Sequence, residues 1–152
     1  MKKIGFACDH AGFEYKEKIK VLLKEKGHEI VDFGCYSEDS VDYPDFAHEL
    51  AIAVSTNDCD LGIQFCGSGN GINMSANKHQ EIRSALCWQV EIAELARLHN
   101  NANICTMPAR YISFDEVKKQ AIKKYTYQKF EGEMKRGSLP TFKKIPKGPW
   151  NS

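Results

Sequence analysis

The chain lacks most of the features that assign a function quickly. Its 152 residues carry 21 Lys+Arg against 20 Asp+Glu, a formal net charge of +1. With so little excess charge no global field gathers nucleic acid or an anionic membrane, so neither is expected as a partner and any basic site must be local. No apolar run approaches the ~18 residues that span a bilayer. Lys2 and Lys3 precede only a short apolar run before Asp9 and His10, which is not the pattern of a secretory leader. The six cysteines, at 8, 35, 59, 66, 87 and 105, form no CxxC pair. They are too few for a disulfide scaffold at this length, as expected of a reduced, cytoplasmic chain. Internal repeats and low-complexity blocks are also absent.

What is present is a globular composition, 42% hydrophobic and 27% charged. It suits one domain over 1–152 that buries about two-thirds of its unfolded surface. KIGFAC (3–8), HEIVDF (28–33), LGIQF (61–65), SALC (84–87) and ICTM (104–107) predict strands. Helical periodicity follows Asp9 through Tyr15, Ile19, Leu22 and Leu23, and Gly27 ends it. Further helices are expected over 44–55, started by Pro44 and burying Phe46, Leu50 and Val54, and over 71–78, 89–99 and 114–127. This alternation predicts an α/β, doubly wound, three-layer α/β/α fold with a five-stranded parallel sheet in the order 2-1-3-4-5. Ligands of such sheets bind beyond the carboxyl ends of the strands, near where strand order reverses. Cys8, Asp9 and His10 after the first strand and 66–71 after the third should therefore share one crevice. From about 128 onward the chain is rich in Lys, Gly and Pro. That tail either docks through Phe142, Ile145 and Trp150, on the domain or on a second subunit, or is a solvated end.

The densest motif is QFCGSGNGINMSANK (64–78), in which an apolar strand ends on Cys66 and a glycine-rich turn opens a helix. The partial positive charge at such a junction can lower a thiol's pKa and hold an anion; the alternative is an inert buried thiol in a tight turn. Asp9 and His10 read equally as a helix N-cap and a surface imidazole. His99 and Asn100 close a helix in ELARLHNN, where histidine suits the negative end of the dipole and asparagine the left-handed conformation. Spacing excludes other chemistries. No arginine follows Cys66 within the turn, as a cysteine phosphatase requires, and Gly71-Ile72-Asn73 stands where a P-loop carries Gly-Lys-Ser/Thr. The glycines do not follow a first strand, as a dinucleotide fingerprint would, and no pair among Cys8, His10, Cys66 and His99 has zinc-site spacing.

As a set, GFACDHAGF (5–13), VDYPDFA (41–47), CGSGNGINMSANK (66–78), IRSALC (82–87), ARLHNNANI (96–104) and the Arg110 segment resemble the type B ribose-5-phosphate isomerase family, which includes the allose- and galactose-6-phosphate isomerases. The resemblance runs in order across about the first 130 residues. It implies aldose-ketose isomerisation of a sugar phosphate, ribose 5-phosphate and ribulose 5-phosphate by default, through an enediolate, with neither metal nor cofactor. By this analogy Cys66 is the base, and Ser68 with the amides of Gly67, Gly69, Asn70 and Gly71 forms the hole for the enediolate. His99, assisted by Asp9, opens the sugar ring, while His10, Tyr43, Asn100 and Arg110 contact substrate. Two subunits complete each site in the family, so a homodimer or homotetramer is implied.

The chain departs from the pattern where the family carries GGRH and a further arginine that clamp phosphate. Here the stretch reads FEGEMKRGSLPTFKKI, with Met134 and Ser138 at those positions. Arg136, Lys135, Lys143 and Lys144 are the candidate replacements, and Arg136 is the one carried forward. The altered tail leaves open a six-carbon sugar phosphate or an unphosphorylated sugar, and a non-catalytic phosphosugar-binding protein is the reading from another class.

Overall fold

Short apolar stretches form the strands, and amphipathic segments between them return the chain to the same edge each time. A computed structural model describes residues 1–40, 42–126 and 129–131. In chain order it contains β1 (Lys3–Cys8), α1 (Phe13–Glu25), β2 (Glu29–Asp32), α2 (Tyr43–Ser55), β3 (Leu61–Cys66), α3 (Asn70–Ala76), β4 (Ser84–Leu86), α4 (Val90–Asn100), β5 (Ile104–Pro108) and α5 (Phe114–Lys118). A 3-10 turn, His10–Gly12, precedes α1, and a π-helical segment, Lys119–Tyr125, continues α5.

Local chemistry sets several boundaries where the sequence places them. Asp9 caps the 3-10 turn by accepting from the Gly12 amide, and Pro44 sits in the first turn of α2. Gly27, at φ +90°, takes the left-handed position after α1 that side-chain-bearing residues avoid. Ser113 caps α5 by accepting from the Glu116 amide at 3.1 Å.

All strand pairs are parallel, and α2 and α3 pack together on one face of the sheet while α1, α4, α5 and the π-helical segment cover the other. The predicted order of strands needs correction, because the sheet runs β2-β1-β3-β5-β4 rather than 2-1-3-4-5. Every residue of β5 is buried, whereas β4 has three residues that are all half-buried. A central place supplies two hydrogen-bonded neighbours and two covered faces, so the long apolar strand takes it and the short one is left at the edge. The helix expected over 114–127 is also altered, since it widens to π winding at Lys119. That wider turn draws Gln120, Ala121 and Tyr125, all fully buried, onto one narrow inward face. Among the described residues no helix is long and apolar enough to cross a membrane.

Candidate active site

Strand order reverses between β1 and β3, and the segments leaving their carboxyl ends meet there. The Asp9 amide donates to the Phe65 carbonyl at 3.2 Å, and the Ala109 and Arg110 amides donate to the carbonyls of Cys66 and Gly67 at 2.8 and 3.1 Å. Three strand ends are thereby bound into one cluster.

At its centre the Cys66 thiol donates to Asp9 Oδ2 at 3.2 Å, and the Gly12 amide holds Asp9 Oδ1 at 3.2 Å. Both side chains are only 7% exposed. One carboxylate thus caps the 3-10 turn and meets the thiol. Burial first, and then the Asp9 carboxylate, push the Cys66 thiol up from its ordinary value. The amides of Gly69 and Ile72, hydrogen-bonded to the sulfur, only partly offset them. The thiol lowered by a strand-helix junction, expected from the sequence, is therefore corrected: desolvation and a neighbouring anion outweigh the amides.

The glycines of the turn are filled from outside. Gly69 takes φ +78°, a left-handed conformation that costs other L-residues about 1 kcal/mol or more, and a side-chain carbon there would fall 2.5 Å from Leu86. The same carbon at Gly71 would meet the Tyr43 ring at 2.5 Å, and at Gly67 the Arg110 guanidinium at 3.2 Å. Tyr43, from the start of α2, and Arg110, after β5, thus form two walls of the turn. Ser68 Oγ accepts from the Asn70 amide at 3.2 Å, and Asn70 itself is exposed. His10 lies beside Asp9 with its ring half-buried, and Nδ1 is buried with no hydrogen-bond partner among the described residues.

His99 and Asn100 are not brought to this cluster. They end α4, which runs back from the carboxyl end of β4, so both stand exposed at the amino edge of the sheet. There Arg83, just before β4, donates through Nε to the Asn100 carbonyl at 2.6 Å. Trp88, Ile92 and Leu95, at helical spacing with His99, are each about 45% exposed and make an uncovered apolar stripe. Arg136 and the anchors Phe142, Ile145 and Trp150 lie outside the described residues.

Sequence reasoning missed Gln64. This fully buried amide donates to the Ile72 carbonyl at 3.2 Å, to Ser84 Oγ at 3.3 Å and to Thr106 Oγ1 at 2.7 Å, tying the glycine-rich turn to the sheet. Ser84 in turn donates to Asn73 at 2.7 Å. The available signal was a glutamine inside the otherwise apolar LGIQFC, because an amide buried in such a run must find partners.

Fold and site together define a small parallel α/β protein with a thiol-carboxylate pair at the switch point of its sheet. The profile of the Ribose/Galactose Isomerase family matches residues 4–140, and the chain belongs to that family. It is 39% identical over 132 residues to ribose-5-phosphate isomerase B of Escherichia coli (strain K12), covering 87% of this chain and 88% of that one. The crystal structure of a ribose 5-phosphate isomerase from Thermotoga maritima matches with a TM-score of 0.83 at 44% identity, over 87% of this chain and 90% of that one. Ribose-5-phosphate isomerase B of Mycoplasma genitalium with bound ribulose-5-phosphate matches with a TM-score of 0.82 at 39% identity, over 86% and 87%.

Proposed function

We propose that the chain is an aldose-ketose isomerase that interconverts ribose 5-phosphate and ribulose 5-phosphate, with Cys66 and Asp9 acting together as the base. The observation that carries this reading is the 3.2 Å contact between the Cys66 thiol and Asp9 Oδ2 inside a turn of backbone amides. The relatives named for ribose 5-phosphate favour the pentose phosphate over a six-carbon substrate and over a non-catalytic binding role.

Isomerisation removes the proton from C2 of the open-chain aldose and returns one to C1, while a proton passes from O2 to O1. A thiol held above its ordinary pKa is a poor base until it gives up its own proton, and Asp9 Oδ2 is placed to accept it. The thiolate then takes the C2 proton and delivers it to C1. Charge developing on the enediolate oxygens falls to the Ser68 hydroxyl and the amides of Gly67, Asn70 and Gly71, where losing one donor costs on the order of 3 kcal/mol. With both Asp9 oxygens engaged, by Gly12 and by Cys66, the geometry favours this role over assisting ring opening.

Ring opening is assigned to His99 of the partner subunit, with Asn100 of the partner subunit contacting substrate, in a homodimer or homotetramer. Exposure of His99 at the end of an uncovered apolar stripe supports that arrangement. Phosphate is assigned to the half-buried His10 ring and to Arg110, and Arg136 is the proposed second cation. Arg136→Ala should raise KM for ribose 5-phosphate much more than it changes kcat, and an unchanged KM removes Arg136 from the clamp. Six free cysteines support a reduced, cytoplasmic setting.

The test is solvent exchange. Incubation with ribose 5-phosphate in deuterated water should place deuterium at C1 or C2, and Cys66→Ala should abolish it. Undiminished exchange in that variant removes Cys66 as the base.

A further inference from the structure

The isomerase reaction leaves a second thiol feature of the same edge unused. Cys8 ends β1, Cys35 lies in the loop after β2, and their sulfurs stand 3.5 Å apart with exposures of 0% and 1%. The Cys8 amide donates to the Gly34 carbonyl at 2.8 Å and the Cys35 amide to the Cys8 carbonyl at 3.0 Å. These backbone bonds hold the two residues side by side, and from a sulfur separation of 3.5 Å a small side-chain rotation brings the sulfurs to a bond of about 2.05 Å.

A cation lies beside the pair. Lys16, fully buried and bonded to Asp32 at 2.7 Å, donates to the Cys35 carbonyl. Burial pushes the Cys8 thiol up and the Lys16 charge works against that push, so oxidation should quicken as pH rises. Cys35 Sγ donates to the Ser37 carbonyl at 3.2 Å, and the intervening Tyr36 is 70% exposed.

We propose that Cys8 and Cys35 are an oxidisable dithiol, a modification site whose reversible disulfide draws Asp9 out of line with Cys66. The oxidant is a peroxide. One thiolate attacks hydrogen peroxide and becomes a sulfenic acid as hydroxide leaves, and the second thiol then attacks that sulfur and expels water. In sum, two thiols and one peroxide yield one disulfide and two waters. Cys8 immediately precedes Asp9, so pulling Cys8 toward Cys35 moves the peptide that aims the carboxylate. The bond itself is independent of the isomerase reading, and its effect on turnover rests on that reading.

The experiment starts with Cys66→Ala protein, which removes the other thiol at this edge, exposed to hydrogen peroxide and digested without reductant. A peptide joining Cys8 to Cys35 is expected, it should disappear on treatment with dithiothreitol, and it should be absent when Cys35→Ser is added. A missing cross-link, or one confined to Cys87 and Cys105, overturns the proposal. In otherwise wild-type protein kcat should fall about tenfold or more as the cross-link forms and return on reduction, since displacements near 1 Å in a catalytic pair carry effects of that order. Cys35→Ser should keep its activity under the same treatment. A cross-link without loss of kcat, or an equal loss in Cys35→Ser, overturns the link to Asp9. Absence of turnover in reduced wild-type protein would count against the isomerase reading alone, because the peptide map still decides the dithiol.

Discussion

At the carboxyl edge of the sheet, Asp9, Cys66 and Arg110 arrive from three strands and are held by backbone hydrogen bonds, so one chain assembles the thiol-carboxylate pair, the amide turn and a cation. At the amino edge, His99 and Asn100 are exposed beside an apolar stripe and face none of those groups. The first edge is prepared in the monomer, because buried polar groups must find partners as the chain folds. The second has no counterpart among the described groups of its own chain, and in the proposed reaction it serves the turn of another copy. On the proposed reading, one chain carries two halves of two different sites.

The sharpest way to break this comparison is subunit complementation. Cys66→Ala and His99→Ala proteins should each be inactive, yet after co-refolding in equal amounts they should recover about a quarter of wild-type activity. About half the dimers are then mixed, and each mixed dimer has one intact site of two. No recovery would mean that His99 does not serve the partner's Cys66.

Asp9→Asn sharpens the description of the first edge. Asparagine can still accept from Gly12, but it cannot take the Cys66 proton as a carboxylate does. Turnover should fall by roughly 10² to 10⁴, while alkylation of Cys66 by iodoacetamide near neutral pH should become faster, since the anion that raises the thiol is gone. Unchanged alkylation would show that Asp9 does not set the thiol's proton affinity, and slower alkylation that it lowers that affinity rather than raising it.

Gln64→Leu tests how firmly the turn is held. It strips a donor from Ile72, Ser84 and Thr106, a loss of about 1–3 kcal/mol, seen as a Tm lower by roughly 3–10 °C. A Tm unchanged from wild type would mean that the network does not anchor the turn.

The smallest effect concerns pH. Burial and the neighbouring His48, 2.8 Å away, hold the His79 imidazole below its ordinary value, and burial with the charged amino terminus does the same to His28. The unfolded chain takes up those protons near pH 6.5 and the folded chain at lower pH. Stability is therefore fully present above about pH 6.5 and is lost as pH falls below it. Denaturant melts between pH 7.5 and 5 should show that decline, and His79→Gln should flatten it. A decline of equal slope in that variant would assign it to other groups.

The sequence by itself determined what neighbours along the chain decide. Asp9 as a cap, Gly27 after α1, Pro44 opening α2, the five strands and the turn after Cys66 all follow from backbone sterics, local hydrogen bonds and hydrophobic period, which act over a few residues. Tertiary structure decided the rest. The strands compete for the centre of the sheet, and β5 wins it only because β4 is shorter and less buried. The direction of the Cys66 thiol's shift depends on desolvation and on a carboxylate 57 positions away in sequence. The Gln64 network, the Cys8 and Cys35 pair and the distance of His99 from its own Cys66 likewise arise between elements far apart along the chain. Burial and through-space charge are properties of the assembled layers, and no window of sequence contains them.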